Sequence, residues 1–297
     1  MTLGFAVAAW EPVSGPSVGI VADSRLSWPN ETQDVGVKTY DLGGRSAMVA
    51  AGNALPVLMA AQLVRPVIEG HNRSNAKPMG FYDTVRLLAF FLRRATSNPS
   101  SSCVAVVGFL ESGRPAIAHL VVSPDRNRVA FFSVDEGECL VIPVGNSEAS
   151  KFLMQGLAAA RKEGKLLVAT GVSLLWYMSC HPGAFQSVGG SLSIGSCVRS
   201  ENYFSWPHFE IGDRRFYRGM DVTDYARPSW PAAEVIAYDE EWCATLDKQL
   251  YRNQDPVTVP DVQHGGGYDI DSLSTPETLF QTHDDPIAFR NGVACEG

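Results

Sequence analysis

No stretch of this chain approaches the roughly 20 consecutive apolar residues that a bilayer-spanning helix needs, so no membrane partner is expected. The six cysteines (Cys103, Cys139, Cys180, Cys197, Cys243 and Cys295) include no C-x-x-C pair. Widely scattered, they read as buried free thiols in a reducing cytoplasm. No two of the six histidines have metal-ligand spacing, which argues against a zinc site and leaves no cofactor to expect. Basic residues are few: 24 Lys and Arg against 32 Asp and Glu give a formal charge of −8, which argues against nucleic acid or an anionic membrane as partner. The apolar start lacks a basic segment and is cut short by Glu11-Pro12, so it is not expected to act as a signal peptide. There is no internal repeat and no low-complexity tract.

What is present is a chain of 297 residues, enough for an ample core in one or two domains. Residues 2–9 read as a strand. A turn-rich stretch with Pro12, Gly15 and Pro16 follows, then a second strand over 17–22 that runs into Asp23-Ser24-Arg25. Two apolar runs separated by Pro and Gly predict a hairpin, which returns Asp23 and Arg25 towards Thr2. Lys38 follows, and residues 46–51 form a third strand ending in Gly52-Asn53, before a helix with Pro56 in its first turn.

Thr2 becomes the first residue if Met1 is removed, as is favoured before a small side chain. A terminal threonine carries a hydroxyl nucleophile and a primary amine together. The unperturbed amine pKa of about 7.7–8.0 leaves part of it neutral near pH 7, able to accept the hydroxyl proton. Each of these residues also has a structural explanation. Thr2 fits an ordinary terminus, Asp23 and Arg25 a surface pair worth about 0–1 kcal/mol, Lys38 a solvated loop lysine, and Gly52 a permissive turn.

The ordered set Thr2, Ala22-Asp23-Ser24-Arg25, Lys38 and Ala51-Gly52 resembles the β subunits of the proteasome and their bacterial ancestral-β relatives, within the N-terminal-nucleophile (Ntn) hydrolases. The likeness spans roughly residues 2–220, and residues 1–60 carry most of its specificity. It implies that Thr2 Oγ attacks a carbonyl carbon while its own amine takes the proton. Lys38 favours the alkoxide by its charge, Asp23 holds and orients Lys38, the Gly52 amide faces the oxyanion, and Arg25 braces the cluster. Two positions depart from the family pattern. Asn146, in Val144-Gly145-Asn146-Ser147, stands where a serine is usual. Phe185-Gln186-Ser187-Val188-Gly189-Gly190 lacks the usual aspartate, and Ser187 is displaced.

The middle of the chain fits an α+β fold, a four-layer αββα sandwich of two antiparallel sheets with helices on the outer faces. Asp83 is expected to cap a helix whose apolar face carries Val85, Leu88, Ala89 and Leu92. Strands are expected over 103–110, 114–122 and 128–133, a helix pair over 147–162 and 168–180, and strands over 191–199 and 209–218. Residues 1–221 are thus read as the Ntn hydrolase domain. Residues 222–297, rich in Asp, Pro, Thr and Gln, are read as an extension, either an arm on a neighbouring subunit or a disordered tail; the apolar period over 232–246 is the exception.

The function implied is a cytoplasmic threonine-type hydrolase of peptide or amide bonds. It would act on a peptide or protein substrate inside a homo-oligomeric ring or open helical array, with no unfoldase partner specified. The alternative is a proteasome-like assembly subunit that has kept the fold and lost catalysis.

Overall fold

The computed structural model describes residues 3–28, 31–34, 36–52, 54–95, 102–123, 126–181, 185–201, 203–225, 233–250, 268–269 and 295–296. In chain order the elements are β1 (Leu3–Glu11), β2 (Gly15–Asp23), β3 (Leu26–Trp28), β4 (Glu31–Gln33), β5 (Thr39–Gly43), β6 (Ser46–Gly52), α1 (Ala54–Ser74) and α2 (Phe81–Ala95). Then come β7 (Ser102–Phe109), β8 (Pro115–Ser123), β9 (Arg126–Ser133), β10 (Glu138–Gly145), α3 (Ser147–Lys162) and α4 (Leu167–Cys180). The last are β11 (Leu192–Val198), β12 (His208–Ile211), β13 (Arg214–Tyr217), β14 (Met220–Asp221), β15 (Glu234–Ile236), α5 (Glu240–Leu250), β16 (Tyr268–Asp269) and β17 (Cys295–Glu296).

The fold is α+β, with two larger sheets that are antiparallel throughout. One runs β11-β2-β1-β10-β17 and the other β16-β9-β8-β7-β6-β5. Two small sheets, β14-β13-β12-β15 and β3-β4, accompany them, and β12 with β15 is a parallel pair. Such sheets with helices are compatible with a sandwich.

Strand alternation divides the core among three clusters. In β1, Ala6 and Ala8 point one way and join Val18, Ile20, Ala47, Val49, Ala105 and Ile117, a set drawn from both large sheets. Leu3, Phe5, Val7 and Ala9 point the other way and join Phe152, Leu157, Leu174 and Met178 of α3 and α4. In β6 the same division sends Ala47, Val49 and Ala51 to the first cluster. Met48 and Ala50 go to a third, with Val57, Val64 and Ile68 of α1 and Val85, Leu88 and Leu92 of α2. A strand buried on both faces must be apolar at every position, which is why residues 3–9 carry no charge.

Small residues set the spacing. A Cβ on Gly4 would lie 2.5 Å from Val49 Cγ2, so β1 and β6 pack closely at Gly4. A Cβ on Gly171 would meet the Phe5 ring at 2.9 Å, which brings α4 onto β1.

Three local expectations need correction or completion. The stretch 209–218 is a hairpin rather than one strand, because Gly212 at φ 62° turns the chain between β12 and β13. Helix α2 begins at Phe81, ahead of Asp83, which sits in its first turn; Val85, Leu88, Ala89 and Leu92 are the buried face expected. The chain from β15 to α5 packs on the body: Ile236, Tyr238, Trp242, Cys243 and Leu246 share the cluster that holds Phe5. Of the aromatics in residues 222–297, Trp230, Tyr251 and Phe280 lie outside the described residues.

Candidate active site

Asp23 ends β2, and the β1–β2 register pairs its neighbour Ala22 with Gly4, so its carboxylate reaches the beginning of β1. There Oδ1 accepts the Leu3 N–H at 3.2 Å and the Lys38 ammonium at 2.8 Å. Its other oxygen, Oδ2, accepts the Gly189 N–H at 3.0 Å from a segment 166 residues away. Lys38 also donates to the Arg25 carbonyl. The side chains of Lys38 and Asp23 are 4% and 0% exposed, so Lys38 is no solvated loop lysine and Asp23 no surface carboxylate.

Burial acts on the two groups in opposite senses. Desolvation pushes the Asp23 carboxyl up, against the Lys38 charge and its N–H donors, which pull it down. Desolvation likewise pushes Lys38 down, against the Asp23 charge. Burial thus disfavours the charged form of each, and the strongest opposing influence on each is the other. An ammonium has three N–H groups; among the described residues two of them have acceptors, Asp23 Oδ1 and the Arg25 carbonyl.

The Arg25 side chain makes its hydrogen bonds to other groups beside this pair. Its guanidinium forms a fork with Asp34, Nε to Oδ1 at 2.7 Å and Nη2 to Oδ2 at 3.0 Å. Its Nη1 donates to the carbonyls of Gln186 and Val188 at 3.3 and 3.2 Å, and its backbone N–H donates to the Gly189 carbonyl at 3.0 Å. Ser24 completes the seam: its hydroxyl donates to the Asp34 carbonyl at 2.7 Å and accepts the Ser191 N–H at 2.8 Å. The segment from Phe185 to Ser191 is thus laid directly on Ser24 and Arg25. Only glycine fits there, since a Cβ on Gly189 would lie 2.3 Å from Arg25 Cζ, and one on Gly190 would lie 2.4 Å from Ser24 Oγ.

The structure brings Asp23, Lys38, Arg25 and the turn bearing Ser187 together. Ser187 is half-buried in a turn closed by the Val188 N–H on the Phe185 carbonyl at 2.9 Å. Gly52 closes β6 at φ 100°, and the Ala50 N–H two residues earlier donates to the Lys38 carbonyl at 3.0 Å, so both belong to one end of the β5–β6 pair. Asn146 is the N-cap of α3, its Oδ1 accepting the N–H groups of Glu148 and Ala149 at 2.9 and 3.0 Å. That oxygen is committed to the helix start. Gly145, just before it, pairs with Leu3 in the β1–β10 register. Thr2 lies outside the described residues.

No protein-family model matches this chain, and no curated protein matches it either. The chemistry is therefore read from the site itself. Among the described residues there is no group of three or more His, Cys, Asp and Glu able to hold a metal ion, and no helix long and apolar enough to cross a membrane.

Sequence reasoning did not single out Asp34 or the Gly189 amide as a donor, and it gave Ser24 no role of its own within Ala22-Asp23-Ser24-Arg25. Asp34 has no local pattern to mark it, because its partner Arg25 is specified by the path of the chain between them. The Gly189-Gly190 pair is the one written signal, since adjacent glycines between a turn and a strand mark a close backbone approach.

Proposed function

We propose that this chain is a threonine-type N-terminal-nucleophile hydrolase of peptide or amide bonds, built as a four-layer αββα sandwich of the proteasome β-subunit kind. The observation that carries this is the Asp23 carboxylate, which binds the Leu3 amide and the buried Lys38 ammonium through one oxygen. A buried cation is thereby held beside the residue that follows Thr2. The three core clusters, one drawn from both large sheets and one on the helix-bearing side of each, support the sandwich.

This function requires Thr2 to be the first residue of the mature chain, with whatever precedes it removed. The Thr2 hydroxyl then attacks the carbonyl carbon and passes its proton to the Thr2 amine. Lys38 stabilises the alkoxide electrostatically, and Asp23 fixes the direction of the Lys38 ammonium. The Gly52 N–H faces the oxyanion, a contribution of about 3–4 kcal/mol where such a donor has been removed elsewhere. The leaving amine collects the proton, and water resolves the acyl-threonine. Residues 1–221 make up the hydrolase unit, residues 222–297 its extension. Peptide or protein substrate reaches Thr2 within a cytoplasmic homo-oligomer, a ring or open helical array.

A second function, an assembly subunit without catalysis, is favoured by one observation: Phe185-Gln186-Ser187-Val188-Gly189-Gly190 contains no carboxylate to hold the Thr2 amine. Intact mass after treatment with an epoxyketone, which reacts with a terminal threonine through both hydroxyl and amine, separates the two. One adduct per chain in wild type on a mass beginning at Thr2, absent in Thr2→Ala, is the result expected of the hydrolase. A correctly processed chain that takes no adduct is the assembly subunit.

A further inference from the structure

We infer that Arg25 and Asp34 form a positioning bracket that holds the segment 185–191 in place and, through the Gly189 amide, fixes the Asp23–Lys38 pair. The bracket acts through Gly189 and Asp23, as a positioning device. Asp34 fixes the guanidinium by two parallel hydrogen bonds, the geometry in which Arg and a carboxylate orient one another most strongly. The remaining guanidinium nitrogen holds the carbonyls of Gln186 and Val188. The backbone of Arg25 holds the next carbonyl, that of Gly189, whose N–H in turn completes the hydrogen bonding of Asp23 Oδ2.

The chain of contacts is therefore Asp34 to Arg25, Arg25 to 186–189, Gly189 to Asp23, and Asp23 to Lys38. Every link is a hydrogen bond between described groups. The Gly189-Gly190 step is compatible with nothing larger while Arg25 and Ser24 stay where they are. Around Asp23 and Lys38 the charged groups among the described residues are each other, Arg25 and Asp34. Losing the fork frees the guanidinium to leave the carbonyls, and the Gly189 N–H then drifts from Asp23. A carboxylate that loses an N–H donor becomes harder to ionise, so Lys38 keeps its charged partner only at higher pH.

The test uses Asp34→Ala, Asp34→Asn and Asp34→Glu in the full chain. Asp34 has a side chain 47% exposed, so none of the three disturbs the core. Hydrogen–deuterium exchange read by mass spectrometry comes first. In Asp34→Ala the amides of 185–191 should exchange about tenfold faster or more, as the loss of a charge-assisted hydrogen bond implies. Exchange in β7 and β8 should be unchanged, and Asp34→Glu, which keeps a fork, should restore wild-type exchange more fully than Asp34→Asn. Unchanged exchange over 185–191 in a folded Asp34→Ala overturns the bracket.

The second arm rests on the hydrolase function: the rate of epoxyketone adduct formation against pH. In Asp34→Ala the acidic limb should move to higher pH, with the loss of rate largest at low pH. A uniform loss at every pH overturns the route through Asp23. If wild type takes no adduct, it is the hydrolase function that fails, and exchange alone decides the bracket.

Discussion

Leu3 and Lys38 meet on a single atom: the backbone N–H of one and the ammonium of the other both donate to Asp23 Oδ1, at 3.2 and 2.8 Å. The start of β1 and the buried cation are therefore fixed by the same oxygen, and neither can shift without the other.

Replacing Lys38 by methionine leaves Asp23 buried beside an apolar side chain. Removing one member of a buried ion pair costs about 3–5 kcal/mol, because the remaining charge is uncompensated. Urea unfolding should show that loss in Lys38→Met. The double variant Asp23→Asn with Lys38→Met should be more stable than the sum of the two single losses. Additive losses would mean that the two side chains are not coupled in solution.

Gly190 has φ +74° and no room for a Cβ, which would approach Ser24 Oγ at 2.4 Å and the Asp34 carbonyl at 3.0 Å. Gly190→Ala should destabilise by about 1–3 kcal/mol through strain and overpacking. Gly137, at φ +86°, is the matched control for backbone strain alone, because a Cβ added there would meet nothing within 4 Å. A smaller urea-midpoint loss in Gly137→Ala is expected; equal losses would refute the close packing at 190.

Asn146→Ala should cost about 1 kcal/mol by removing the α3 cap, and Asn146→Asp should retain most of it. Thermal unfolding of the three proteins distinguishes these outcomes. A neutral Asn146→Ala would mean that the cap is not formed.

Burial pushes the Cys103 thiol up to about 12, with Sγ 2.8 Å from His119 Nε2. A thiol held protonated is a poor nucleophile. In native protein at pH 8, iodoacetamide should modify the exposed Cys180 well before Cys103. Peptide mapping after timed quenching checks the order.

Acid should weaken the Arg25–Asp34 fork in a defined direction. Hydrogen bonding to Arg25 holds the Asp34 carboxyl below its ordinary 3.8. A carboxyl depressed on folding adds stability above its unfolded value and loses it as the pH falls through the folded value. Wild type should therefore lose this increment below about pH 3.8, and Asp34→Asn, which cannot titrate, should show a shallower decline there. Parallel urea midpoints for the two proteins across that range would argue against the fork.

What could be read in the sequence was local or ordered along the chain. The β1–β2 hairpin was legible because apolar runs flank Pro12, Gly15 and Pro16. Asp23, Arg25 and Lys38 stood out through their order and spacing, and the structure brings all three together. The helix pair at α3 and α4 followed from sustained apolar faces. What was illegible depends on distant pairing. Nothing in residues 138–145 announces that β10 lies against β1 in the middle of its sheet. Nothing near Asp34 announces its partner. The β12–β13 turn was hidden because Phe209, Ile211 and Phe216 are buried on both sides of Gly212, and an apolar run masks a tight turn.

The bond from the Gly189 amide to Asp23 also sets a timetable for synthesis. The ribosome makes Asp23 early and Gly189 only after α4, so Asp23 and Lys38 spend most of translation without their third contact. A nascent chain that stops at α4 holds every residue of the hairpin, the lysine and both helix pairs. It still lacks the segment that closes over Arg25. Completion of this site is therefore withheld until residues 185–191 have been made, and termination before them yields a fragment with the cation present and its setting unfinished.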